Sequence, residues 1–171
     1  MDNLKKLIRD IPDFPRPGIM FRDITPLLAD ADGLKLSVNL IGRQFQNKNI
    51  DKVVGIESRG FIFGTAIAYY LKVGFVPIRK PKKLPWQTIQ QKYDLEYGQD
   101  AVEIHADALS PGQRVLVVDD LLATGGTLFA SCQLIERLKA KVIGIAVLIE
   151  LAPLKGREKL KDYDIFSLMK Y

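Results

Sequence analysis

Two carboxylates stand side by side at Asp119-Asp120, and Ala123-Thr-Gly-Gly-Thr127 follows three residues on. Gly125 and Gly126 let the backbone curl closely around an anion and turn N–H groups toward it. Thr124 and Thr127 add hydroxyl donors. The two acids would repel that anion, but they suit the neutral hydroxyls of a sugar, which donate hydrogen bonds. A phosphate cradle beside a hydroxyl-binding acid pair describes ribose 5-phosphate. The G-x-x-x-x-G-K-[ST] and G-x-G-x-x-G patterns are absent, which disfavours an ordinary nucleoside-triphosphatase or dinucleotide fold.

Other residues bear on the same chemistry. Arg79-Lys-Pro-Lys-Lys83 places four cations within five residues, where an apolar run ends. Glu57-Ser-Arg59 directly follows another apolar run. His105 reads as a structural residue, and with no second histidine or cysteine near it there is no zinc site. Cys132 falls on the apolar face of a helix as a buried thiol. Trp86, after Pro85, is a candidate cap for a lid or a subunit interface.

These groups need elements to hold them. Lys52–Ile56 reads as a buried strand, Phe61–Leu71 as a buried helix, and Gly74–Ile78 as a second strand that Pro77 places near an edge. Arg114–Val118 is a third strand. Thr127–Leu138 is a helix with Leu128, Cys132, Ile135 and Leu138 on one face, and Val142–Ile149 is a fourth strand. Two βαβ units imply an α/β fold with a mostly parallel sheet and helices on both faces. Ligands of such sheets bind beyond the carboxyl ends of the strands, where both the acid pair and the cation run fall. Upstream, residues 2–9 read as a short helix, Phe14-Pro-Arg-Pro-Gly18 as irregular, and about 32–47 as an amphipathic helix. Tyr93–Tyr97 and Ala101–His105 around Gly98-Gln-Asp100 predict a hairpin. Tyr163–Leu168 predicts a last strand.

The 171 residues fit one domain, 1–171, and at 47% hydrophobic content they can bury a core. No run is long and apolar enough for a membrane helix, and the first ten residues show no secretory pattern. A single cysteine makes no internal disulfide, so a cytoplasmic protein is expected. The net charge of +5 suits an anionic small substrate or a nucleic acid alike.

The stretch Val115–Thr127 resembles the sugar-donor motif of type I phosphoribosyltransferases. Phe14–Leu28 resembles the N-terminal signature of the adenine-specific branch of that family. Gly55–Gly64, Ile78–Pro85, Leu95-Glu-Tyr-Gly98 and Leu151–Leu160 add blocks of similarity in the same order. The resemblance implies that Asp119 and Asp120 bind the ribose hydroxyls and that Ala123, Thr124, Gly125, Gly126 and Thr127 bind the 5-phosphate. It implies pyrophosphate on Ser58, Arg59, Arg79, Lys80 and Lys83, with a non-proline cis peptide in the Gly55–Gly64 turn. It implies an adenine slot near Met20, Arg22 and Leu151, in a hood made of residues 1–32 and the C-terminal segment. For Phe21, plain core is the expectation. Glu96 matches the family's catalytic glutamate on a flexible hairpin lid, and Tyr97 would shield the site beside it.

The resemblance further implies Mg²⁺ held mainly by the donor's own oxygens with no dedicated protein ligands, a homodimer, and no nucleic-acid or membrane partner. Two rivals stand beside this reading. One is a regulator that keeps the phosphoribosyl pyrophosphate loop as a sensor and binds nucleic acid; the other is a transferase for a different base.

Overall fold

The computed structural model describes residues 2–94 and 98–171. Glu96 and Tyr97 therefore lie outside the described residues. The chain opens with a single helical turn, α1 (Asp2–Lys5), followed by strand β1 (Arg9–Ile11). The expected helix over 2–9 thus stops halfway. The reason lies in the proline-rich segment, which folds back on itself with a cis Phe14–Pro15 bond. Phe14 N–H donates to the Ile19 carbonyl at 3.2 Å, and Gly18 N–H donates to Asp13 Oδ1 at 2.7 Å. That turn brings Arg9–Ile11 antiparallel to β2 (Phe21–Asp23), in register Asp10 to Arg22. Extended pairing with a partner replaces the isolated helix.

Two helices follow, α2 (Thr25–Ala29) and α3 (Ala31–Phe45). Asp30 caps α3 by accepting the Gly33 N–H at 2.7 Å. Ile41 and Phe45 are fully buried from its apolar face, and Leu34 and Val38 pack beside them.

Next come β3 (Lys52–Ile56), α4 (Arg59–Leu71) and β4 (Gly74–Ile78), then the hairpin β5 (Thr88–Asp94) and β6 (Gln99–His105). The chain continues through β7 (Arg114–Leu122), α5 (Gly126–Arg137), β8 (Lys141–Glu150), α6 (Gly156–Lys159) and β9 (Ile165–Lys170). The strands β4-β3-β7-β8-β9 form one wholly parallel sheet. Pro77 lies on edge strand β4, where its missing donor costs no ladder bond. Alternation along the strands sorts the core into two layers. Val53, Leu116, Val118, Ala146 and Leu148 pack under α3 and α4. Val54, Ile56, Val115, Val117 and Val147 pack under α5 and the hairpin.

Two boundaries differ from expectation in a way that matters. Strand β7 does not end at Val118 but runs through the acid pair to Leu122, and Asp119 and Leu121 stay paired with Val147 and Ile149 of β8. The hairpin register pairs Tyr93 with Asp100 and Asp94 with Gln99, so Gln99 and Asp100 belong to β6 rather than to a turn. In both places polar side chains imitate a strand end, although the backbone ladder continues.

The end of β8 carries a buried acid. Glu150 Oε1 accepts from Arg157 Nε at 2.7 Å, and Oε2 accepts from Arg157 Nη2 at 2.8 Å and from Ser167. Arg157's fork, aided by Ser167 and Lys170, outweighs burial and takes the Glu150 carboxyl from its ordinary 4.5 to about 2. Because the folded value lies below the unfolded one, this contribution is complete above about pH 4.5 and is lost as pH falls toward 2. Glu150→Gln should therefore cost about 1–3 kcal/mol at neutral pH. The gap from wild type should narrow as pH drops through that window. Urea denaturation at pH 7 and at successively lower pH measures both effects.

Candidate active site

The connectivity of the sheet makes a crevice. From β3 the chain crosses over through α4 to β4 on one side, and from β7 it crosses through α5 to β8 on the other. Adjacent strands β3 and β7 therefore send their helices to opposite faces, and the space beyond their carboxyl ends stays open. A cavity of about 530 Å³ lies there. It is lined by Ser58, Arg59, Lys80, Asp119, Asp120, Ala123, Thr124, Gly125, Gly126 and Thr127, with Ile56, Glu57, Leu121 and Leu128 completing the wall. All seven residues expected to hold ribose 5-phosphate thus share one cavity with three of the five expected to hold pyrophosphate.

Both crossover helices begin at this cavity. The first-turn N–H groups of a helix lack intrahelical acceptors and carry the positive end of its dipole, so they favour an anion. Gly125 sits before α5 with φ +81°, a left-handed conformation that suits glycine. The turn into α4 contains a non-proline cis bond, Glu57–Ser58. Gly60 allows α4 to approach β7, since a Cβ there would lie 2.8 Å from Asp119 Oδ1 and 3.0 Å from the Val118 carbonyl.

The acid pair is enclosed. Burial, and then the adjoining Asp120 carboxylate, push the Asp119 carboxyl well above the usual range. Burial also raises Asp120, against the opposing pull of Arg59. Asp119 Oδ1 accepts the Asp120 N–H at 2.9 Å. Arg59 Nε meets Asp120 Oδ2 at 2.7 Å, and its guanidinium lies 5.3 Å from the Phe21 ring centroid. Phe21 is thus no core residue. It is half-buried in the β1–β2 ribbon, stacked edge-on with Phe14 and facing the arginine of the cavity. Its place on a short ribbon, rather than under a helix, left no periodicity for the sequence to show.

The cation run is divided by Glu57, whose side chain is 8% exposed. Glu57 accepts from Arg79 Nε at 2.8 Å, from Lys83 Nζ at 2.7 Å and from the Lys80 N–H at 3.0 Å. Burial alone would raise this carboxyl, but Lys83, the Lys80 amide and Arg79 together hold it below its ordinary value. Arg79 and Lys83 are accordingly turned to Glu57 and are not among the cavity's lining. Lys80 does reach the lining. Its ammonium is bound by Asp100 and by Tyr93 Oη at 2.7 Å, which ties the cavity to the hairpin.

Met20, Arg22 and Leu151 lie outside the cavity lining. Met20 is exposed, and Arg22 pairs with Asp10 across the β1–β2 ribbon. Leu151 follows β8 and donates its N–H to the Leu122 carbonyl at 2.9 Å, so the segment after β8 is joined to the end of the strand that carries the acids. His105 and Trp86 are also outside the lining, and Trp86 is exposed. Cys132 is fully buried, and burial pushes its thiol far up.

Gly156 escaped the residue-by-residue reading, although it sits inside the Leu151–Leu160 block. A Cβ at Gly156 would stand 2.2 Å from the Ala123 carbonyl and 3.1 Å from Gly125 N; one at Gly125 would stand 2.7 Å from the Gly156 carbonyl. The Ala123–Thr127 loop rests on this backbone.

The comparisons with known proteins agree with this geometry. Residues 28–170 match the model of the phosphoribosyl transferase domain. The chain belongs to the phosphoribosyltransferase family. Within that family, it is similar to proteins described as adenine phosphoribosyltransferases. That of Koribacter versatilis is 57% identical over 170 residues, covering 99% of this chain and 93% of that protein. The crystal structure of the one from Thermoanaerobacter pseudethanolicus superposes with a TM-score of 0.97 at 51% identity, covering 99% of both chains. The one from Saccharomyces cerevisiae was solved with an imino-altritol bisphosphate and adenine. It gives a TM-score of 0.92 at 38% identity and covers 98% of this chain and 97% of that one.

Gly156→Ala should force the loop to shift. It is expected to cost about 1–3 kcal/mol of stability and to raise the KM for a phosphorylated sugar donor by roughly tenfold or more. Thermal melting and steady-state kinetics report the two separately.

Proposed function

We propose that this chain transfers the 5-phosphoribosyl group from 5-phosphoribosyl 1-pyrophosphate to N9 of adenine, releasing AMP and pyrophosphate, as a purine-salvage transferase. One observation carries the reading. The single cavity at the β3–β7 junction joins an acid pair and a phosphate loop to a second helix start with Ser58, Arg59 and Lys80. That combination suits a ribose with phosphate at both ends.

In this reading Ala123–Thr127 hold the 5-phosphate through amides, Thr124 and Thr127. Asp119 and Asp120 accept from the ribose hydroxyls. Ser58, Arg59 and Lys80 take the pyrophosphate, together with Arg79 and Lys83 of the same run. Met20, Arg22 and Leu151 bound the adenine slot, where backbone C=O and N–H groups meet the N6 donor and N1 acceptor of the base. Hypoxanthine reverses that edge and would leave buried polar groups unpaired. N9 attacks C1 as the bond to pyrophosphate breaks, and the cations stabilise the charge on the departing oxygen. Glu96 takes the N9 proton or offsets the charge on the base, and Tyr97 shields it from water.

The donor set fits magnesium in a limited way. Among the described residues no group of three or more His, Cys, Asp or Glu stands together as a metal site. Asp119 and Asp120 offer carboxylate oxygens at the cavity floor, and Mg²⁺ commonly takes one or two carboxylates plus substrate phosphates and water. A magnesium brought with the donor would draw charge from the pyrophosphate.

The same reading includes a homodimer and a cytoplasmic setting. Arg79 and Lys83, held outside the cavity by Glu57, suit a family in which such residues reach a neighbouring subunit. The free buried thiol of Cys132 suits a reducing compartment.

Pyrophosphate release from the donor, measured with adenine, hypoxanthine, guanine, xanthine and orotate in turn, tests the function. Release with adenine alone is expected. Release with another base instead would reassign the acceptor, and none with any base would favour a sensor. Glu96→Gln should lower turnover by about 10²-fold or more with little loss of stability. Near-normal turnover in that variant would remove Glu96 from the chemistry.

A further inference from the structure

We propose that Tyr171 is a positioning residue for the base slot, bracing its two walls against each other through its aromatic ring and its backbone. The proposal rests on the assignment of the Met20–Arg22 segment and Leu151 to adenine. Those walls come from distant parts of the chain: one is strand β2, the other the turn after β8. Tyr171 touches both. Its N–H donates to the Glu150 carbonyl at 3.0 Å, and its own carbonyl accepts the Ala152 N–H at 2.9 Å. These two bonds clamp the residues on either side of Leu151. Its ring centroid lies 4.2 Å from the Arg22 guanidinium carbon, a cation–π contact at close range.

Arg22 depends on that contact. Its Nε is buried with no hydrogen-bond partner among the described residues, so Asp10 and the Tyr171 ring are what hold the guanidinium. The support beneath Tyr171 is firm. Strand β9 is anchored by Leu168 and Met169, 3% and 2% exposed, and pairs Lys170 with Glu150. Lys5 ties α1 into the same cluster, donating to the Lys170 carbonyl at 2.8 Å with its ammonium 5.0 Å from the Tyr171 ring centroid. The ring therefore sets where β2 stands relative to Leu151, and so the width of the slot. The cations over the ring are Arg22 and Lys5, whereas Arg59 and Lys80 of the cavity lie over Phe21 and Tyr93.

The test is steady-state kinetics of wild type, Tyr171→Phe, Tyr171→Leu and Tyr171→Ala, varying adenine at saturating donor and donor at saturating adenine. Leu and Ala should raise the KM for adenine by about three- to tenfold, the range a lost cation–π contact spans. Donor KM should stay within about twofold, because only base binding is changed. Phe keeps the ring and should match wild type. Should Ala fail to fold, the Phe and Leu pair decides alone. An unchanged adenine KM in the Leu variant overturns the brace, and so does an equal rise in both KM values, which would signal general loosening. A wild type active on other bases but not on adenine overturns the functional reading itself, a result visible before any variant is made.

Discussion

Everything in this molecule depends on the pairing of β3 with β7. They are parallel neighbours, in register from Lys52 with Val115 to Gly55 with Val118, yet their crossovers leave in opposite directions. A right-handed crossover must place its helix on the face its direction dictates. Two adjacent strands with diverging crossovers therefore cannot cover the space beyond their own ends. The cavity is what the topology leaves open, and two helix starts face into it because each crossover helix begins there. Arg59 and Lys80 make the site electropositive at its rim, and the peptide dipoles supply part of that field.

The charges in and around the cavity are matched before any ligand enters. Asp120 holds Arg59, Glu57 holds Arg79 and Lys83, and Asp100 holds Lys80. Each pairing offsets the cost of enclosing a charge. The pairings of Arg59 and Lys80 also set a cation near the place where an anion would lie. Donor binding in the proposed reaction is then an exchange of partners. Its strength is a difference between two sets of contacts rather than the sum of one.

The strands β3 and β4 were legible in the sequence to the residue, because short apolar runs bounded by glycine or charge have little room for another reading. The α3 and α5 faces were legible from their spacing. What escaped were elements whose stability comes from a partner far along the chain. β1 exists because the Phe14–Gly18 turn returns β2 to it. β7 continues past Val118 because β8 runs beside it, whatever side chains Asp119 and Asp120 carry. At the site, the gathering of Asp119, Asp120 and Ala123–Thr127 in one place was readable because these glycines, acids and threonines are nearly contiguous. The division of the cation run by Glu57 was not, since it depends on a carboxylate more than twenty residues upstream.

Gly125 and Gly156 sit back to back: a Cβ at Gly125 would meet the Gly156 carbonyl at 2.7 Å, and one at Gly156 would meet the Ala123 carbonyl at 2.2 Å and Gly125 N at 3.1 Å. Most close contacts can be repaired in evolution by shrinking one partner when the other grows. This one has no such route, because both residues are already the smallest available. A loss at either position would have no suppressor at the contact itself. Recovery would have to come by moving backbone, and the backbone on one side is the Ala123–Thr127 loop that lines the cavity. The pair is thus a fixed point around which the rest of the site must vary.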